Sequence, residues 1–446
     1  MMRWIYTLIF YGCLPLIVVR LLWRSIKAPL YRGRWAERFA CYSKTRKPVD
    51  SQTVWLHTVS VGETIAAYPF ALRLLDTYPQ YSLLVTTTTP TGSAQVRRLY
   101  AKEIASGRVQ HQYMPYDLPD CLSRFVKYWQ PVCAIFMETE VWPNTLVCCE
   151  QRSIPALLIN ARLSEKSCTG YQRMGTFAEQ TFSRFTHIIA QSEADVTRLR
   201  TLSRSPISVS GNLKSDIMIS DVLREEAARL KKEWSSNGEK TLIIAASTHK
   251  GEDEMILMAY CELLAEHSDI RLVIVPRHPE RFEFVAKLCR EQGINVACRS
   301  QPNTVTSDTS VIVGDSVGEL MTFYGASDIA VVCGSFIEHG GHNMLEPAAW
   351  GLPVISGDSV YNFSTIAADM QHQNALVILS NEDELTVSLQ RLLRSTSESA
   401  LLGNNAKRYV EQTSGAIDKT LEVITPILSP SISRSSPADG PSGCVR

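Results

Sequence analysis

Short apolar, β-branched runs recur along this chain, separated by longer helix-compatible segments, and this alternation narrows the possible folds more than any other feature. One series comprises TVWLHT (53–58), YSLLVTTTT (81–89), VCAIFMET (132–139), PALLINA (155–161), HIIAQS (187–192) and ISVSGN (207–212). A second comprises TLIIAAS (241–247), RLVIVPR (271–277), VIVGD (311–315), DIAVVCGS (328–335), PVISG (353–357) and ALVILS (375–380). Strands alternating with helices build parallel sheets covered on both faces, so the expected class is α/β with two doubly wound, Rossmann-like domains. Between the series, SDVLREEAARLKKEWSSNGEK (220–240) is charged and reads as the domain junction. Two such domains facing each other would form a cleft lined by carboxyl ends of strands, where open α/β sheets bind ligands.

The length of 446 residues exceeds one ordinary core and agrees with two domains. Forty-five basic residues balance 45 acidic ones, so no global field points to nucleic acid, and none is expected as a partner. The twelve cysteines are scattered without C-x-x-C spacing and read as reduced, apolar packing groups. From Trp4 to Trp23 the chain is apolar apart from Arg20, long enough at 1.5 Å per residue to cross roughly 30 Å of hydrocarbon. Arg20, Arg24, Lys27, Arg32, Arg34, Arg38, Lys44, Arg46 and Lys47 follow, against the single acid Glu37, which by the positive-inside rule keeps the body cytoplasmic. The expected organisation is an anchor over 1–24, domains over 25–218 and 219–428, and a disordered tail over 429–446.

Polar groups gather where strands should end. In VVCGSFIEHGGHNMLEPAAWG, Gly340 and Gly341 should open a helix running to Gly351, with free N–H groups and a positive dipole end offered to phosphate. Asn343 and Glu346 then share one face, and Glu346 suits ribose hydroxyls. Ser247 and Lys250 in AASTHKGEDE, Arg277 and His278 in VPRHPERF, and Glu319 in GDSVGEL stand at three further strand ends. In the first domain, Glu63 in SVGE and Glu138 or Glu140 in METEVWPN are the acidic candidates. Ser60 should cap the helix carrying Glu63, Gly62 should allow a tight turn, and the helix end should depress the Glu63 pKa. Arg162 and Lys166 in NARLSEKS and Lys214 in GNLK are candidates for gripping acceptor phosphates.

WLHTVSVGE, TTTTPTGS, YMPYDLPD, METEVWPN, NARLSEKS, STHKGEDE, VPRHPERF and GGHNMLEPAA, taken in order, resemble the 3-deoxy-D-manno-octulosonic acid (Kdo) transferases of lipopolysaccharide assembly, from about residue 4 to about 425. The chain departs from that pattern at Cys333 and Ser215. The resemblance implies a two-domain GT-B glycosyltransferase anchored on the cytoplasmic face of the inner membrane, with CMP-Kdo as donor and a lipid A precursor as acceptor. It implies an inverting transfer, with the acid of SVGE as base, the first domain binding acceptor and the second binding donor. Arg277, Lys250 and the helix end at Gly340 would serve the leaving phosphate. No Asp-x-Asp stretch is present, and no metal or other cofactor is expected. Two rivals share this architecture: a GT-B enzyme using a UDP-sugar, and a non-catalytic membrane-bound nucleotide-binding protein.

Overall fold

The computed structural model describes residues 2–27, 29–42, 52–301 and 304–429. The tail expected to be disordered lies, but for Ser429, outside the described residues, as do Lys44, Arg46 and Lys47 of the basic stretch. Contacts divide the chain into one unit of residues 1–216 with 415–446 and a second of residues 217–414.

The first unit holds a parallel seven-stranded sheet of β1 (Gln52–His57), β2 (Tyr81–Thr87), β3 (Val109–Tyr113), β4 (Pro131–Met137), β5 (Ala156–Ala161), β6 (His187–Ala190) and β7 (Ile207–Val209). Its strand order is β3-β2-β1-β4-β5-β6-β7, which reverses direction between β1 and β4. The second unit repeats the plan with β8 (Thr241–Thr248), β9 (Ile270–Pro276), β10 (Val296–Cys298), β11 (Val311–Val313), β12 (Ile329–Val332), β13 (Val354–Gly357) and β14 (Val377–Leu379). There the order is β10-β11-β9-β8-β12-β13-β14, and the reversal falls between β8 and β12. At such a reversal the flanking loops part to opposite faces and leave a crevice at the carboxyl ends.

All twelve expected strands form. The two that sequence reasoning missed, β3 and β10, lie at sheet edges. The β3 run VQHQY has three consecutive polar residues at its centre, of which the fold buries His111 and Gln112, His111 bonding the Val85 carbonyl and Ser93 Oγ at 2.9 and 2.8 Å. β10 is the three residues VAC between Asn295 and Arg299, with no longer apolar run around it to mark a strand.

Two expected boundaries need correction. The expected division between 218 and 219 lies beside the observed one between 216 and 217, and the helix Asp221–Trp234 of the junction stretch buries Ala227, Leu230 and Trp234 in the second unit. The second domain does not run to 428: the helix Ala416–Leu428 inserts Ile417, Leu421, Ile424 and Leu428 into the core of the first unit. Asp216 fixes that return, its carboxylate accepting the backbone N–H groups of Gly415, Ala416 and Ile417 at 2.5, 3.2 and 2.5 Å. Nor are residues 1–24 a separate body. The helix Met2–Lys27 lays one face on the first unit, where Tyr6 donates to Asp117 at 2.9 Å, Thr7 to Asn144 at 3.1 Å and Tyr11 to Asp120 at 2.6 Å. Its other face leaves Trp4, Ile5, Leu8, Ile9, Leu16 and Val19 exposed, and the helix is long and apolar enough to cross a membrane.

Candidate active site

In the first unit the crevice between β1 and β4 collects three carboxylates. After β1 the chain turns at Ser60, whose hydroxyl accepts the Glu63 N–H at 3.3 Å and caps the helix Val61–Thr77. Glu63 folds back in return, accepting the Val59 N–H at 2.8 Å and the Ser60 hydroxyl at 3.1 Å. Gly62 is not the expected tight turn: it lies in the first helical turn without a positive φ, and an added Cβ would meet only Ser60 Oγ, at 3.9 Å. What the glycine leaves is open surface beside Glu63. The expected lowering of the Glu63 pKa is also overturned. Burial pushes the carboxyl above its ordinary range, the Glu138 charge adds to this, and the Val59 and Ser60 hydrogen bonds and Arg162 oppose it.

After β4, Glu138 is buried in a left-handed conformation, φ 52°, which a non-glycine residue adopts only when its surroundings enforce it. Its oxygens meet Arg162 Nε at 2.8 Å and Lys214 Nζ at 3.7 Å, so two of the three expected phosphate grips are tied to a carboxylate. The Arg162 side chain remains 58% exposed and keeps a free edge. Lys166 stands exposed on the helix Glu165–Arg173 and makes no described bond to this cluster. Asn160, another left-handed residue, accepts the Leu213 N–H at 3.0 Å and so sets the turn carrying Lys214.

Glu140 completes the acid group. Its carboxylate accepts the Trp142 indole N–H at 2.8 Å and lies 3.8 Å from His57 Nε2. Burial, then the neighbouring Glu63 and Glu138 charges, lift its pKa to about 7. His57 is fully buried, bonds Thr86 Oγ1 at 2.8 Å through Nδ1, and burial lowers its pKa to about 4. Sequence reasoning missed His57 and Asn160 as site residues although both stand at strand ends inside quoted motifs.

In the second unit the crevice between β8 and β12 is a histidine nest. Ser247, φ 62°, bulges β8 between Ala246 and Thr248 and turns the chain toward His249. The His249 ring lies 4.3 Å from that of His339, 5.4 Å from His278 and 5.2 Å from His342, parallel to the last within 2°. Burial first, then neighbouring imidazoles and Arg277, lower His249 to about 4. Burial first, then Arg277 and the other imidazoles, lower His342 to about 3. Arg277 and His278 follow β9 with exposed side chains, and Lys250 is exposed after β8.

The organiser of this nest escaped sequence reasoning. Glu252, 1% exposed, accepts the N–H groups of Gly334 at 2.7 and 2.9 Å, His249 at 3.0 Å and Phe336 at 3.2 Å, joining the loops after β8 and β12. A glutamate three residues after the strand-end His249 was the available signal.

The expected helix from Gly340 to Gly351 does not form. The helical stretch is only Leu345–Ala349, and the glycine N–H groups are spent, Gly341 on the Gly334 carbonyl at 2.8 Å and Gly340 on Ser359 Oγ at 3.4 Å. Gly340 and Gly341 instead take φ 84° and 73°, and an added Cβ at Gly340 would meet Asn362 and Tyr361 at 2.5 Å, so they serve close packing. Asn343 does meet Glu346, donating at 3.1 Å; burial raises the Glu346 pKa, while Asn343 and Arg277 oppose the rise. Glu319 is engaged by Arg299 at 2.8 Å, and no described bond joins it to the nest. Cys333 is buried at the end of β12. Among the described residues, no group of three or more His, Cys, Asp or Glu has metal-holding geometry.

Two doubly wound parallel sheets, each with ionisable groups at its switch point, follow the plan of the GT-B fold. Residues 33–217 match the family described as 3-deoxy-D-manno-octulosonic-acid transferase (kdotransferase), and residues 225–409 match glycosyl transferases group 1. The chain is 38% identical over 431 residues to the 3-deoxy-D-manno-octulosonic acid transferase of Haemophilus influenzae, covering 96% of this chain and 99% of that one. It is 32% identical to the enzyme of that name from Bordetella pertussis, over 95% of this chain and 98% of the other. The UDP-GlcNAc 2-epimerase from Neisseria meningitidis, 14% identical, shares the fold at a TM-score of 0.54 over 84% of this chain and all of its own. The chain belongs to the 3-deoxy-D-manno-octulosonic acid transferase family.

Proposed function

We propose that this chain transfers Kdo from CMP-Kdo to a hydroxyl of a lipid A precursor, with inversion, at the cytoplasmic face of the inner membrane, with the helix Met2–Lys27 as its membrane anchor. In that reaction the acceptor oxygen forms a bond to the anomeric carbon as the bond from that carbon to the CMP phosphate breaks. The electron pair leaves with the phosphate, and the hydroxyl proton passes to Glu63. The observation that carries the reading is the position of Glu63: half-buried at the β1/β4 switch point, held by Val59 and Ser60, with Gly62 leaving space beside it. Its raised pKa makes it a stronger base than an ordinary carboxylate and one that is lost to protonation sooner as pH falls.

In the second unit, Arg277 with Lys250 supplies the cations for the CMP phosphate, with the neutral His249–His342 pair beside them; this assignment replaces the helix end expected at Gly340. Glu346 with Asn343 takes the ribose hydroxyls. Arg162, with its free edge, Lys214 and Lys166 serve the acceptor phosphates. Family membership supports the donor and the reaction.

The test is turnover with CMP-Kdo and a lipid A precursor by the wild type and Glu63→Gln, with thermal protection by CMP measured in parallel. Transfer should fall about 10²–10⁴-fold in the variant, the size expected for a lost general base, while CMP protection persists. Protection by UDP in place of CMP, or near-normal turnover by Glu63→Gln, overturns the reading.

A further inference from the structure

A cavity of about 280 Å³ in the first unit reaches from Glu140 past Trp142 to Tyr171, Met174 and Phe177, with Tyr6 of the N-terminal helix as one wall. We propose that it receives an acyl chain of the lipid acceptor and thereby holds the sugar end of that lipid at the acid cluster of Glu63, Glu138 and Glu140. The proposal rests on the glycosyl-transfer reading above and adds the part of the substrate that the carboxylates do not address.

The lining is mainly apolar or aromatic, and most of its polar atoms are already spoken for. Tyr6 spends its hydroxyl on Asp117 at 2.9 Å, Thr181 its own on the Phe177 carbonyl at 2.8 Å, and Trp142 its indole N–H on Glu140 at 2.8 Å. What these side chains show the cavity is carbon: the Tyr6 ring stands 6.3 Å from that of Phe177, and Tyr171 packs 5.0 Å from Phe182. A ligand with hydrogen-bonding groups along its length would leave them unpaired here, whereas a hydrocarbon chain leaves none.

Position selects the same occupant. The wall bearing Tyr6 belongs to the helix whose opposite face exposes Trp4, Ile5, Leu8 and Ile9, so the cavity lies just beneath the surface that a bilayer would cover. Glu140, whose carboxylate feels the Glu63 charge, is part of its lining. A chain bound there therefore lies beside a neighbour of the proposed base. The volume falls just below the small-molecule pocket range and suits one chain, not a whole multi-chain lipid.

Two variants test this in the full chain: Ala178→Trp, which fills the cavity, and Met174→Lys, which puts a charge at a position already 39% exposed and so threatens folding little. Each is assayed for kcat/KM with the acylated lipid A precursor and with the same disaccharide after complete deacylation. The acylated-to-deacylated ratio should fall about ten- to a hundredfold, the discrimination expected when a pocket rejects a few methylene groups. An unaltered ratio, or equal loss on both acceptors, overturns the proposal. A precursor carrying a diazirine at one chain end gives a reading independent of turnover. Adducts within residues 171–182 support the cavity, and adducts only elsewhere overturn it. Failure of the wild type to transfer to either acceptor would instead overturn the transferase reading, with the photolabel still deciding the cavity.

Discussion

Nε2 of His249 lies 2.9 Å from Nε2 of His342, and this contact joins the loops after β8 and β12 across the switch point of the second sheet. One ring donates and the other accepts, so the pair is intact only while at least one imidazole is neutral. Both pKa values lie below the ordinary 6.5, at about 4 and about 3. Between those values and 6.5 the unfolded chain binds protons that the folded one does not, so stability rises with pH through that window and falls on acidification. Urea unfolding of the wild type at pH 7 and pH 4.5 should show this loss, and His342→Gln should shrink it. Equal pH dependence in both proteins would show that the pair does not titrate as described.

Glu138 supplies a second pH test. Its charge helps to hold the Glu63 pKa up, while its partner Arg162 pulls that pKa down. In Glu138→Gln the negative neighbour is gone and Arg162 is released, and both changes lower the Glu63 pKa. The acidic limb of the kcat/KM profile should therefore move to lower pH. A limb that stays in place would assign it to a group other than Glu63.

The buried Glu252 carboxylate accepts three different backbone N–H groups, and none of them has another place to go when the side chain is truncated. Glu252→Ala should destabilise the second unit by about 3 kcal/mol, the scale of losing hydrogen bonds to a charged group. CMP protection should be lost with it, because the His249 and Gly334 loops are no longer held. A change in melting temperature within error would refute this role.

Asp216→Ala removes the cap of the helix Ala416–Leu428, a loss of about 1–2 kcal/mol. The expected readout is faster amide hydrogen exchange across 416–428, with exchange in β8–β14 unaltered. Unaltered exchange in the helix would mean that its apolar face alone keeps it docked.

The sequence by itself determined the class of fold, twelve of the described strands, the apolar helix at the amino end, and the carboxylates of SVGE and METE. These are properties of local pattern: apolar runs of strand length announce buried parallel strands, and polar residues interrupting them mark their ends. Only the tertiary structure decided which ends meet. Strand order brings β1 beside β4 and β8 beside β12, and this turns Glu63, Glu138 and Glu140, or His249 and His342, into neighbours across 75 and 93 residues of chain. Charge states also belonged to the fold. Proximity to a helix end argued for a depressed Glu63 pKa, but burial outweighs it, because desolvation depends on everything packed around the group and not on its own helix. For the same reason Gly340 and Gly341 looked like a phosphate-binding helix start, yet their N–H groups are taken by the Gly334 carbonyl within the loop and by the Ser359 hydroxyl beyond β13. The final helix follows the second series of strands in sequence but packs on the first sheet, since its apolar face finds the cover it needs there and Asp216 supplies the cap.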